Sequence, residues 1–473
     1  MRKSHSKRVF TTLTTLASLL PNIHGAALPG NAPAVWAELE RNRANTSALH
    51  ATPAPAWVAP PEMRGTSGIL YSCVLTLFAC IYTALHLNIP ARRSAGASDA
   101  ASRLLRDKCV WAFLALVAPE AVLYCAWSQF AEARALARDL RALEAEAAGA
   151  GAEAGNSATS GRGDDKAVAD ADCAFDLKYG FFVVMGGLEM WYPDADGLGG
   201  ESARTLSAGG VRNLARTALE PLRVPGALIA DRSKANTLQK LLVLLQVSWM
   251  AAQCATRAAY GLPLTLLELH TLVHVACAVG MYVLWFKKPL DLRTAEAIDR
   301  AAYGGLDGVD PAQYFSMNRT KLVADFDARW LQRVDAQELC LYIVQRGVLG
   351  ALMVVLPIIY SGAHLAPAWD LAGDFGFPSA TEALLWKIAC IATAASVPAL
   401  VVSLYLLELV FLAEVPTCLA VFNWVHLNYQ GRVFVVVFLV CRVYIVVEAF
   451  ASLRAVPIGA YLTPSWIEMI PHV

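Results

Sequence analysis

Two histidines, His270 and His274, stand four residues apart in an apolar stretch, with Glu268 two residues ahead of the first. On a helix that spacing puts both imidazoles on one face. It is the spacing of a two-histidine metal pair, and equally of two groups that exchange protons near neutral pH. The HExxH pattern of zinc hydrolases is absent, because Glu268 precedes His270 and points elsewhere. A third metal ligand would have to come from another helix, from Glu120, His86 or Glu408, and no metal site is assigned. Neutral histidines hydrogen-bonded inside a bundle remain the plainest alternative.

Further ionisable residues interrupt apolar runs. Glu120, Glu408 and Glu448 do so, and so do Arg346 and Arg442. A lone charge at the centre of a bilayer costs roughly 2.5–3.5 kcal/mol on insertion scales. These groups therefore pair across helices, as glue or as the wall of a polar site. Arg442 and Glu448 are six apart, which is wrong for pairing along one helix. If the site is catalytic, Glu268, His270, His274 and Glu120 supply acid–base groups and Arg346 stabilises an anion. Arg232 and Lys234 precede an apolar run, where they could meet a phosphate at a helix N-terminus or a lipid headgroup.

The elements that must position these residues are membrane helices. The chain of 473 residues is 56% hydrophobic and 16% charged, against about 25% charged in an average soluble protein. Lys+Arg and Asp+Glu balance at 39 each, so charge favours no nucleic-acid partner. The 11 cysteines have no regular spacing and no CxxC, and read as inert buried thiols. There is no GxGxxG and no P-loop, and no cofactor is named by a motif.

The central unit is 231–293. A run from Leu238 to about Ala259 is broken by Gly261-Leu262-Pro263 and followed by a run from Leu264 to Phe286 that stops at Lys287-Lys288-Pro289. Each run suffices for a span of about 20 residues, so the pair reads as a transmembrane hairpin. Residues 1–26 have the basic, apolar and small-residue order of a signal peptide, and 27–64 form a lumenal segment with a glycosylation sequon at Asn45. The first transmembrane pair lies within 65–131: about Gly68 to Leu87, then about Cys109 to Phe130, kinked at Pro119-Glu120. Residues 132–230 are polar and low-complexity, with a short apolar run at 179–191. A polar loop, 294–338, precedes three spans within 339–473: about Leu339 to Tyr360, Leu384 to Leu412 and Val433 to Ala451. Trp386, Tyr405, Trp424 and Trp466 are candidate interface anchors.

The expected class is an all-α polytopic bundle of about seven or eight spans. Parity decides topology. If 179–191 crosses, Lys287 and Lys288 face the cytoplasm with Arg204, Arg212 and Arg223, which satisfies the positive-inside rule. Eight spans is the preferred count, and it leaves Asn318 unglycosylated.

Short motifs in order support a resemblance. They are Arg64-Gly65-Thr66-Ser67-Gly68-Ile69-Leu70 with Ala84-Leu85-His86-Leu87-Asn88-Ile89-Pro90, Ala118-Pro119-Glu120, Gly180-Phe181-Phe182 with Met185-Gly186-Gly187, Asp231-Arg232-Ser233-Lys234, and Gly261-Leu262-Pro263 through Leu267-Glu268-Leu269 to Lys288-Pro289-Leu290-Asp291. Over roughly 64–293 the chain resembles an uncharacterised family of multi-pass membrane proteins of filamentous fungi. That resemblance implies organism type and membrane location but no reaction. The expected home is the endoplasmic reticulum or a later secretory membrane. The expected partners are the bilayer and a lipophilic small molecule. Two function classes stay open: a membrane enzyme processing such a molecule, or a transporter, receptor or scaffold.

Overall fold

The computed structural model describes residues 31–60, 64–89, 97–154, 175–193, 201–231, 237–290, 292, 294–304, 314–315, 348–369, 377–412 and 417–463. The signal segment 1–26, Arg232, Lys234, Asn318, Arg346 and Trp466 lie outside them. The helices are α1 (Asn31–Arg41), α2 (Thr46–Ala51), α3 (Thr66–Ala84), α4 (Ala97–Val117), α5 (Pro119–Ala154) and α6 (Leu177–Val184). After two strands come α7 (Ala208–Thr217), α8 (Gly226–Asp231), α9 (Thr237–Ala259), α10 (Leu266–Leu284), α11 (Val348–Trp369), α12 (Ala380–Leu412) and α13 (Thr417–Ala451). The strands β1 (Leu188–Pro193), β2 (Glu201–Thr205) and β3 (Glu296–Ile298) form one sheet in the order β2-β1-β3. β1 pairs antiparallel with β2 and parallel with β3.

Helix α10 is the hub, packing against α3, α5, α9, α11 and α13. Its start is written locally. Gly261 turns the chain at φ +64°, and Thr265 and Glu268 close a capping box in which each side chain meets the other's backbone N–H. A helix hydrophobic all round fits such a central place. What it buries is partly polar: Glu268, His270, Thr271 and His274 are buried along it with Leu267, Cys277, Ala278 and Met281.

Among the described residues four helices are long and apolar enough to cross a membrane: Thr66–Ala84, Leu266–Leu284, Ala380–Leu400 and Val433–Ala455. A fifth crossing is possible if α4 and α5 count as one broken span, since Leu105–Val117 and Pro119–Gly149 meet at 113°. The expected kink at Pro119 is therefore a reversal rather than a bend. Pro119 opens α5, where a missing N–H costs nothing. The hairpin at 231–293 forms as α9, turn and α10, but α9 is not among the crossing helices; Gln246, Gln253 and Arg257 dilute its apolar run.

The run at 179–191 corrects the preferred count. It is not a continuous helix. The eight residues of α6 rise only about 12 Å, and the chain then turns at Gly186, φ +91°, into β1. Tyr179, Phe181 and Phe182 are buried against Leu136 and Leu140 of α5. Close backbone approach requires Gly180 there, since a Cβ on it would lie 2.3 Å from the Ala133 carbonyl oxygen. The run is apolar because it fills a protein core, not because it meets lipid.

A second core joins chain segments distant in sequence. Leu39 and Leu49 pack with Ile69, Leu267, Trp386, Ile445 and Tyr461. Backbone bonds from Ala54 N to Val456 O and from Ile458 N to Thr52 O, both 2.9 Å, stitch the N-terminal segment to the turns after α13. Trp386, expected as an interface anchor, is fully buried in this core and donates to the His364 carbonyl at 2.9 Å.

Candidate functional site

The structure sorts the polar residues into three groups around α10. In the first, Arg64 just before α3 meets Glu268 at 2.6 Å. Glu268 also accepts from the Thr265 N–H at 2.9 Å and the Thr265 hydroxyl at 3.0 Å. Burial works against the Arg64 charge, but the Glu268 carboxylate outweighs it and holds that guanidinium above its ordinary value. Arg257 lies close by, buried, and donates to the carbonyls of Pro263, Gly459 and Leu462 at 2.8, 3.0 and 2.9 Å. Glu268 is thus tied to the joint between the N-terminal segment, the α9–α10 turn and the chain end, and the structure does not bring it to the histidines.

The second group is the candidate site. His270 and His274 share one face of α10, their ring centroids 4.3 Å apart. His364, from α11, places Nε2 3.1 Å from His270 Nδ1. His364 Nδ1 donates to the Tyr360 carbonyl at 2.8 Å, and the Tyr360 hydroxyl is 3.5 Å from His270 Nδ1. The two rings of Tyr360 and His364 stack at 4.3 Å. On the other face of Tyr360, at 3.6 Å, lies the Arg442 guanidinium of α13. Arg442 pairs with Glu120 in the first turn of α5, where a carboxylate also favours the helix dipole. His274 places Nδ1 2.9 Å from the His270 carbonyl and Nε2 2.9 Å from the Leu116 carbonyl. Leu116 lies in the last turn of α4, so His274 occupies a carbonyl freed by the break at Ala118.

All six side chains are buried. Even so, His270 Nε2, Arg442 Nε and Nη1, and Glu120 Oε2 have no hydrogen-bond partner. Buried polar atoms are nearly always satisfied, so each exception calls for an explanation, here as at Arg64 Nη2 and Arg257 Nε of the first group. A narrow apolar recess adjoins the group, lined by Cys80, Ala84, Ala115, Pro119, His274 and Met281. Four helices and the broken pair thus converge here, with proton donors, a bare ring nitrogen and a compensated charge pair in dry surroundings.

The third group contains Lys288. Lys287 is exposed, but its neighbour is buried. Lys288 Nζ donates to the His86 carbonyl, to Asn88 Oδ1 at 3.1 Å and to Gln129 Oε1 at 2.8 Å, and sits 4.6 Å from the Trp285 ring. Burial pushes the Lys288 amine down to about 7. The expected charged loop pair Lys287-Lys288 is therefore split between solvent and a tie from α10 to the end of α3.

Of the residues expected to carry chemistry, His270, His274 and Glu120 come together, and Glu268 stands apart. Arg346, Arg232 and Lys234 lie outside the described residues. Tyr360 and His364 were missed, because the apolar run was ended at Tyr360 and α11 continues to Trp369. Arg442 takes the place foreseen for an intramembrane arginine, and its partner is on another helix, as its spacing from Glu448 implied. The third-ligand candidate His86 lies away, with Nδ1 on the Ala84 carbonyl, and the side chain of Glu408 is outside the described residues. Among the described residues no group of three or more His, Cys, Asp or Glu is arranged to hold a metal ion. Asn45 is exposed and caps α2, accepting from the Ala48 N–H at 3.2 Å.

A family model matches residues 40–307 and 334–473, with the description "Family of unknown function (DUF8562)". The chain belongs to this family. The match takes in the three C-terminal helices, beyond the 64–293 over which the short motifs carried a resemblance. No curated protein and no solved structure matches the chain.

Proposed function

We propose that the chain is a multi-pass integral membrane protein of a fungal secretory-pathway membrane, with a signal peptide and about seven spans. Its His270–His274–His364–Tyr360–Arg442–Glu120 centre carries out acid–base chemistry on a lipophilic small molecule. The observation that carries this reading is the buried, partnerless Nε2 of His270 within the histidine cluster. Arg64 Nη2 and Arg257 Nε in the structural joint lack partners too. The weight therefore falls on His270 Nε2, a ring nitrogen with no charge pair to account for its burial, which costs about 1–3 kcal/mol to leave unsatisfied and which a ligand would satisfy. Histidine supplies the proton transfer and Arg442 the stabilisation of developing negative charge.

One observation favours a second reading. Broken helices at membrane depth line many transporter sites, and the α4–α5 reversal ends at Glu120 and at the carbonyl held by His274. Untargeted metabolite profiling of a host with the intact gene and with a deletion separates the two. The enzyme reading expects a precursor that accumulates and a product that disappears from cells and medium alike. A product merely redistributed between cell and medium supports transport, and an unchanged profile supports a scaffold or receptor.

A further inference from the structure

The hydrogen bonds around His270 have a direction. His364 Nδ1 faces the Tyr360 carbonyl at 2.8 Å, and a carbonyl only accepts, so this nitrogen carries hydrogen. His364 is buried, and the Arg442 cation stacks on the far side of Tyr360. His274, with a carbonyl 2.9 Å from each ring nitrogen, is the histidine placed to take a second hydrogen. A further cation beside it and Arg442 is disfavoured, so His364 and His270 each hold one hydrogen and His364 Nε2 is an acceptor. The group 3.1 Å away is His270 Nδ1, which therefore donates. With its single hydrogen committed to Nδ1, His270 has a bare Nε2, the atom that is buried without a partner. The backbone of α11 is the origin of this chain of constraints, and His364 transmits it to α10.

We propose that His364 is a positioning residue that locks His270 in its Nδ1–H tautomer and makes His270 Nε2 the proton-accepting atom of the centre. This rests on the acid–base reading above and deepens it. The substrate class it fits is a neutral lipophilic molecule with an acidic C–H between a carbonyl and a carbon–carbon double bond. Nε2 takes that proton, the C–H electron pair stays on the substrate as an enolate, and the two partnerless N–H groups of Arg442 suit the oxyanion. Return of the same proton to the far carbon of that double bond, which shifts into conjugation with the carbonyl, completes an isomerisation. Nothing is oxidised or reduced and no co-reactant is consumed.

The test is nitrogen NMR of the full chain, with 15N-labelled histidine rings, reconstituted in phospholipid bilayers. His270→Gln assigns the signal. The wild-type protein is expected to show His270 protonated at Nδ1 and bare at Nε2. His364→Gln, whose side-chain carbonyl can still accept, keeps that pattern, and His364→Leu gives a mixture of tautomers. Protonation of His270 at Nε2 in the wild type overturns the proposal, as does an unmixed pattern in folded His364→Leu. If His364→Leu does not fold, the wild-type and His364→Gln spectra decide. In cells, His364→Gln is expected to restore the product that His364→Leu loses. The expected tautomer together with a metabolite profile unmoved by His270→Gln would leave the tautomer lock standing and remove the acid–base reading.

Discussion

Arg442 and Lys288 show two ways of keeping a cation inside this protein. Arg442 is charge-compensated by Glu120 and covered by Tyr360. Breaking a buried pair by removing one partner leaves an uncompensated charge, typically at a cost of about 3–5 kcal/mol. Glu120→Gln is thus expected to lower the unfolding free energy by that amount in lipid or detergent. The double variant Glu120→Gln/Arg442→Met should recover most of it, and a double variant no better than the single would show the pair to be uncoupled. Lys288 has neutral oxygens only. Its amine is pushed from 10.5 down to about 7 by burial, so between those values the unfolded chain binds a proton that the folded chain does not. Stability therefore rises with pH through this window, and below about 7 the contribution is flat. Melting curves from pH 7 to 10 should show the rise in the wild type and a shallower one in Lys288→Met. An equal slope in both would assign the effect to other groups.

At the scale of elements, what could be read from the chain depended on how local the cause was. The α9–α10 turn follows from Gly261, Pro263 and the Thr265–Glu268 box, all within eight residues, and its position is where the sequence puts it. The reversal at Pro119 is marked by the proline, but its size is not: 113° reflects the tertiary setting, with His274 and Arg442 holding the two helix ends. The run 179–191 misled because apolar residues destined for a protein core and for lipid look alike over a short stretch. Glycine was the discriminating signal. Gly180 permits the approach to α5 and Gly186 permits the turn into β1. Gly180→Ala is expected to destabilise the α5–α6 contact by about 1–3 kcal/mol, read as increased protease cleavage around 175–193. Unchanged cleavage would mean that α6 shifts without penalty.

For the whole molecule, α10 sets the plan, and its two histidines, with Glu120 of α5, are what the sequence made legible of the site. The partners from α11 and α13 were less so, since a long-range meeting of His364, Tyr360 and Arg442 leaves no spacing signal in one chain. The short motifs that marked the family resemblance turn out to touch one another: Arg64 meets Glu268, and the His86 carbonyl and Asn88 meet Lys288. Membership of the family over both matched segments fits a bundle whose C-terminal helices complete the site. The signal peptide proposed for 1–26 would make the N-terminal segment lumenal, and Asn45 is exposed. With 179–191 not crossing, the 294–338 segment is lumenal as well, so an endoglycosidase shift is expected in the wild type, smaller in Asn45→Gln and absent only when Asn318 is also replaced. A shift lost completely in Asn45→Gln would put Asn318 on the cytoplasmic side and call for a further crossing before α9.

The proposed function requires the histidine cluster to be there for chemistry rather than for bracing. The metabolite profile of cells carrying His270→Gln, read beside the amount of folded protein in their membranes, decides between the two. Folded protein is expected at the wild-type level, with a profile that matches the deletion. A wild-type profile from normally abundant His270→Gln protein would contradict it, and so would loss of the folded protein itself, which would make His270 part of the brace.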